Sequence, residues 1–287
     1  MRYRLGSAAL GLLLATVLAG CDTAGSTDSA PAEGKSPAPT AGPFVPEAGV
    51  CHPAVETVGY RSSYTTVDCA KTHFTETVHV GVFTGADADR FNSPPPGTRE
   101  ARAAFHVCDT QATAFVGADW RGGLMSVQVV VPEPKDWTGG SRWYRCDLFT
   151  LAPIDSDTAA DHAVERAGTL RGGLSRPSPL AHGCFTDDKY ENLLPAPCTK
   201  RHRFEYVGVW TAPDGAYKTA DRDADVVHMH CRSVVTAYTK GTPSAKSAQG
   251  TGTTYRLPSP KAWERGDRGI RCFYWSGDRD MTRSLKG

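Results

Sequence analysis

The 287-residue chain carries 32 basic residues, 31 acidic residues and 9 histidines, a formal net charge of +1. So even a balance leaves no electrostatic footprint for nucleic acid and no strong pull toward anionic lipid. The length accommodates two domains of about a hundred residues each.

The chain opens with a basic patch, Arg2 and Arg4, followed by an apolar run from Leu5 to Gly20. That run has the length of a signal peptide and is too short to span a bilayer stably. It ends in Leu18-Ala19-Gly20-Cys21, which resembles the lipobox of bacterial lipoproteins. Residues 1–20 are therefore expected to be a signal peptide, and Cys21 the acylated first residue of the mature chain. Two or three acyl chains hold a protein stably where one binds only marginally, so the expected place is the outer face of the cytoplasmic membrane. Loss of residues 1–20 removes two arginines and no acid, leaving 30 basic against 31 acidic residues. Residues 21–47 are rich in Ser, Thr, Ala, Pro and Gly and read as a disordered, partly extended tether.

Beyond the tether the chain repeats itself. Val131-Pro-Glu-Pro-Lys-Asp-Trp-Thr-Gly-Gly-Ser-Arg-Trp-Tyr-Arg-Cys146 aligns without a gap on Leu257-Pro-Ser-Pro-Lys-Ala-Trp-Glu-Arg-Gly-Asp-Arg-Gly-Ile-Arg-Cys272, with eight of sixteen positions identical. Upstream, Cys69-Ala-Lys-Thr-His-Phe-Thr-Glu76 aligns on Cys198-Thr-Lys-Arg-His-Arg-Phe-Glu205, and downstream Thr169-Leu-Arg-Gly172 aligns on Ser284-Leu-Lys-Gly287. Matches in the same order read as a tandem duplication, with a first module over 48–172, a linker over 173–181 and a second module over 182–287.

Each module is predicted to run strand, helix, strand, turn, strand. The first strands hold Val80-Gly-Val-Phe-Thr84 and Val207-Gly-Val-Trp-Thr211. The helices are read from Ala101, Ala104, Phe105, Cys108, Ala112 and Phe115, and from Val227, Cys231, Val234, Val235 and Tyr238, at helical spacing. Strands over Met125–Val131 and Thr253–Leu257 end at Pro-x-Pro. Trp137 or Trp263 follows, then a Gly-containing turn and a last strand. The fold class is α+β: two homologous, disulfide-braced modules, each an antiparallel sheet with one main helix.

Eight cysteines remain after Cys21: Cys51, Cys69, Cys108 and Cys146, then Cys184, Cys198, Cys231 and Cys272. An even count in an exported chain reads as a disulfide framework. Four cysteines allow three connectivities. The expected one joins Cys51–Cys69, Cys108–Cys146, Cys184–Cys198 and Cys231–Cys272. The competing reading, a zinc site, has no Cys-x-x-Cys pair behind it.

His73 with Glu76, and His202 with Glu205, are the polar pairs kept in both modules. They read either as a metal or acid–base pair or as local hydrogen bonding beside a disulfide, and with Trp137, Arg142, Trp263 and Arg268 they are the candidate partner-binding residues. The pairs Trp137/Arg142 and Trp263/Arg268, with Lys135, Lys261, Arg145 and Arg271, read either as a stacked basic surface for an anionic polymer or as a Trp packed on a turn pinned by Arg. His228-Met-His230-Cys231 resembles a metal cluster, but residues two apart diverge on a helix and neither His recurs in the first module. Arg265-Gly-Asp267 occupies the turn that Gly139-Gly140-Ser141 fills in the first module and reads as turn chemistry. No Gly-x-Ser-x-Gly, His-Glu-x-x-His or phosphate-binding loop is present.

The order Cys, Cys-x-x-x-His-x-x-Glu, a helical Cys, then Pro-x-x-Trp-x-x-Gly-x-Arg-x-x-x-Cys resembles the septum-formation family of actinobacterial exported and membrane proteins. It departs from that pattern at Thr72 and Arg201, which stand where a Pro precedes the histidine. The resemblance implies an envelope role in septation and carries over no catalytic residue. The expectation is a lipid-anchored, non-enzymatic binding or scaffolding protein without a cofactor. Its partners would be the membrane, through the anchor, and an envelope protein or cell-wall polymer. The alternative is a cell-wall enzyme or metal-dependent hydrolase built on the His-x-x-Glu pairs.

Overall fold

The computed structural model describes residues 42–152, 162–188, 192–218, 223–240 and 252–286. The expected signal peptide, Cys21, most of the expected tether and Gly287 lie outside them.

The first half is built from β1 (Cys51–His52), β2 (Val58–Gly59), β3 (Thr75–Val82), α1 (Arg99–Val116), β4 (Met125–Pro132), α2 (Pro134–Thr138), β5 (Trp143–Leu151) and β6 (Ala163–Val164). The sheet runs β1-β3-β5-β4-β2, with β6 also paired to β5. The second half holds β7 (Cys184–Asp187), β8 (Leu193–Ala196), β9 (Phe204–Thr211), α3 (Ala224–Tyr238), β10 (Gly252–Arg256), α4 (Pro260–Arg265) and β11 (Gly269–Trp275). Its sheet runs β10-β11-β9-β7-β8 and is antiparallel throughout. The first sheet departs from the expected antiparallel pattern at one place, where β2 lies parallel to β4. The mixed α+β class is as expected. The tryptophans that the sequence places just before turns sit instead on the short helices α2 and α4. Pro134 and Pro260 each stand in the first helical turn, where a missing N–H costs nothing.

Strand β5 lies at the centre and is buried along its whole length. Its alternate side chains Tyr144, Cys146 and Leu148 face the first core. Helix α1 lays the stripe Ala104, Phe105, Cys108, Ala112 and Phe115 on them. The Thr98 hydroxyl caps the helix by accepting from Ala101 N–H (3.3 Å), and Gly117 ends it at φ 85°, a left-handed conformation that disfavours a side chain. In the second half α3 packs Val227, Cys231 and Val235 on Ile270, Cys272 and Tyr274 in the same manner. The disulfides join Cys51–Cys69, Cys108–Cys146, Cys184–Cys198 and Cys231–Cys272, the pairing expected. The second and fourth of these tie each main helix to its central strand.

The two sheets differ on the faces turned away from their helices. In the first, His52 contacts Thr77 Oγ1 (3.0 Å), Thr77 donates to Asp147 (2.7 Å), and Arg145 binds Asp147 (2.9 Å) and Glu56 (2.6 Å). Burial first, then the Arg145 charge, holds the His52 pKa below the usual value. At the same cross-strand positions, where Thr77 faces Asp147, the second sheet has Tyr206 facing Phe273. There Phe185, Leu193 and Phe273 form an apolar cluster.

Residues 173–181, expected as a linker, are hydrogen-bonded to the first half. Leu174 N–H donates to Val116 O (2.9 Å), and Leu124 N–H donates to Leu180 O (2.7 Å). Gly42 to Gly287 form one compact unit. Among the described residues no helix is long and apolar enough to cross a membrane.

Candidate functional site

The His-x-x-Glu pairs lie at equivalent places in the two halves. His73 is 1% exposed, Glu76 3%, His202 1% and Glu205 1%. His73 Nδ1 meets Lys71 O at 2.8 Å, and His202 Nδ1 meets Lys200 O at 2.8 Å. Each histidine backbone also exchanges two hydrogen bonds with a distant segment, His73 with Arg166 and His202 with Met281. The glutamates reach further. Glu76 accepts from Thr169 Oγ1 (2.6 Å) and Leu170 N–H (2.7 Å). Glu205 accepts from Ser284 Oγ, Leu285 N–H (2.8 Å) and the Tyr238 hydroxyl (2.7 Å). Each glutamate therefore clasps the tail Thr/Ser-Leu-Arg/Lys, 93 to 94 residues downstream in the first half and 79 to 80 in the second. The Tyr238 hydroxyl pKa is raised, by burial first.

This arrangement corrects the expectation that His73, Glu76, His202 and Glu205 face a partner. They are interior, and both oxygens of each carboxylate are already engaged. It also departs from the local-bonding alternative, because only the histidine ring bonds locally. Sequence contained a signal that went unused: the repeated tails at 169–172 and 284–287 had no assigned partner, and each carboxylate lacked one.

Trp137 and Trp263 are also buried, at 1% and 4% exposure. Trp137 Nε1–H donates to Arg90 O (2.9 Å), and Trp263 Nε1–H donates to Gly215 O (2.8 Å). Arg142 donates to Trp137 O (2.6 Å) and Arg268 to Trp263 O (2.5 Å), with each guanidinium carbon 4.3 Å from its ring centre. Arg268 also binds Asp214 (2.6 Å), and that hydrogen bond, then the Arg268 charge, lowers the Asp214 pKa. Trp137, Arg142, Trp263 and Arg268 are thus packed turns rather than an exposed stacking surface. A guanidinium that caps carbonyls and covers an indole has no donor fork to spare for a polymer.

Sequence reasoning missed the seam between the halves. Arg121, just after α1, binds Asp109 (2.6 Å) and reaches across to Asp267 (2.8 Å). Its carbonyl accepts from Arg271 Nε–H (2.9 Å). Burial opposes the Arg121 charge, but Asp267 and then Asp109 outweigh it and raise the pKa. The path exists because residue 269 is glycine: a Cβ there would lie 2.2 Å from Arg121. The aligned residue in the first half is Trp143. Asp267, the acid of Arg265-Gly-Asp267, is 2% exposed and also accepts from Gly269 N–H (2.9 Å). The turn reading of that tripeptide holds, with an ion pair added.

Beside this seam, burial first and then the Arg271 charge push the His182 pKa down to about 3. Folding therefore favours neutral His182. As pH falls below the unfolded value of about 6.5, the unfolded chain takes up a proton that the native chain refuses, and stability is lost toward pH 3. His52 acts in the same direction. His182→Phe is expected to flatten the urea midpoint between pH 6.5 and 4 relative to wild type; identical pH slopes would refute this.

Of the other motifs, His228 Nδ1 contacts Thr253 Oγ1 (2.8 Å), while His230 stacks on Trp210 with ring centres 4.1 Å apart. The two do not converge. The sulfurs of Cys51 and Cys69 lie within 4.8 Å of a Glu76 oxygen, and those of Cys184 and Cys198 likewise of Glu205. These sulfurs are bonded to each other, and a metal requires free thiolates.

No curated protein and no solved structure matches the chain. One family, described as septum formation, matches residues 48–272 as a single span that covers both halves and all eight paired cysteines. The chain belongs to the septum-formation family.

Proposed function

We propose that this protein is a lipid-anchored, extracytoplasmic binding or scaffolding component of the cell envelope, acting in septum formation or cell division and not as an enzyme. The observation that carries this reading is the use made of the shared polar residues. Every His-x-x-Glu and Trp/Arg pair fastens the fold, alongside four disulfides of the kind exported proteins keep. The family match supports the process, and the lipobox-like Leu18-Ala19-Gly20-Cys21 supports the anchor. We read the two halves as tandem copies, since equivalent glutamates clasp equivalent tails. Two weak sites on one tethered chain gain affinity through effective concentration. The partner is an envelope protein or a cell-wall polymer, reached without a cofactor.

The test is time-lapse imaging of a fluorescent fusion at Gly287 in dividing cells. Enrichment at nascent septa is the expected result, and uniform envelope signal through the cycle would remove division from the reading. Combining His73→Ala with His202→Ala should lower the melting temperature and abolish no reaction. Loss of a cell-wall hydrolytic activity at unchanged melting temperature would establish the enzyme instead.

A further inference from the structure

The first sheet has an unfinished edge. Strand β2 pairs with β4 only at Val58↔Val131 and Gly59↔Pro132. Over Val127–Val130 no described strand lies on that side of β4. Val131 N–H donates to Thr57 O on this side (3.4 Å). Alternate residues of a strand turn their peptide groups to opposite sides, so the Val129 peptide groups face the same open side. What meets the Val129 carbonyl there is a side chain: Gln128 Nε2–H donates to it at 2.7 Å. Gln128 thus stands in for the N–H of an absent neighbouring strand.

This edge borders a groove of about 440 Å³ lined by Gln128, Val129 and Val131, by Phe105 of α1, by Pro95 and by Lys261 of α4. The volume lies in the range of ligand-binding clefts. Its walls are mainly apolar, and its far side comes from the second half. Lys261 is exposed and makes no ion pair among the described residues. An open strand edge asks for a ligand with its own repeating N–H and C=O groups. Apolar flanks suit alternate side chains of such a ligand; Lys261 and Arg265 line the groove with Glu264, and the excess of cation over acid suits a carboxylate placed at Lys261.

We infer that the groove takes an extended segment of a partner polypeptide, added as a strand to the β4 edge with an acidic side chain meeting Lys261. The inference rests on the binding role proposed above and names its partner class. Gln128 would swing aside as the incoming N–H takes over the Val129 carbonyl. The Val129 N–H would gain an acceptor.

The experiment uses the chain from Asp22 to Gly287, isotope-labelled, with a fluorescent hexapeptide Thr-Val-Glu-Val-Thr-Val as probe. The expected result is a shift of the Val129 and Val131 amide resonances and saturable anisotropy. Lys261→Glu should weaken binding about tenfold, and Ala101→Trp, which fills the groove, should remove it. N-methylation of the central peptide amides should also remove it, since only strand pairing needs those N–H groups. Equal binding of the N-methylated peptide, or resonance shifts confined to other surfaces, overturns the inference. Displacement of the probe by a peptide of residues 22–41, at higher affinity, would make the chain's own N-terminal segment the occupant and overturn it too. Septal enrichment that persists in Ala101→Trp cells, with no probe binding by the wild type, would discard the groove and leave the binding role standing.

Discussion

Arg121→Ala is expected to cost about 3–5 kcal/mol in urea unfolding. The guanidinium is 7% exposed and holds Asp267, itself 3% exposed, together with Asp109. Removing it leaves a buried carboxylate whose remaining donor among the described residues is the Gly269 N–H. The loss comes mainly from that stranded charge and not from the absent attraction. The effect should therefore be partly relieved by neutralising the orphan. Arg121→Ala with Asp267→Asn is expected to cost less than the sum of the two single changes by about 1–2 kcal/mol. Strict additivity would mean that the pair is not energetically coupled. Gly269→Ala should mimic the arginine change, because its new methyl would sit where the Arg121 side chain passes.

The second large effect concerns the bridges. Replacing Cys231 and Cys272 by Ala opens a span of 41 residues, and replacing Cys184 and Cys198 opens one of 14. Chain-entropy estimates give about 4 kcal/mol for the first and about 3 kcal/mol for the second. The gap should widen in practice, since the longer bridge sits in the core between α3 and β11, while Cys198 is half-buried near the surface. Thermal unfolding of the two double variants decides the order. If the Cys184/Cys198 variant proves the less stable, the helix-to-sheet bridge is not the main brace of the second half.

Legibility from sequence followed the range of the interaction. Cys108 and Cys231 could be placed on helix faces from periodicity alone, but spacing does not choose among the three connectivities of four cysteines, and the fold settles their bridges to the last strands. Val80-Gly-Val and Val207-Gly-Val announced strands, and Asp267 in a Gly-containing turn announced a turn. Trp137 and Trp263 were seen as repeated, and a Trp packed on a turn pinned by Arg was one of the two readings, but what holds the indoles was not legible. Their indole N–H groups find carbonyls of Arg90 and Gly215, both about fifty residues away, and nothing local reveals such an acceptor. Glu76 and Glu205 failed for the same reason, their partners lying 93 to 94 and 79 to 80 residues downstream. The seam was harder still, because Arg121 and Asp267 belong to different halves and only the substitution of Gly269 for Trp143 hinted at a passage.

Sequence by itself determined the repeated pattern, the α+β class, the even set of eight cysteines and the family resemblance, all of which rest on local spacing and composition. Tertiary structure alone decided which polar residues became interior. A carboxylate or guanidinium is costly to bury until a donor or counter-charge arrives from elsewhere in the chain. Whether Glu76 clasps a tail or faces a ligand, and whether β4 is covered or open at Val129, depends on what the distant chain brings alongside.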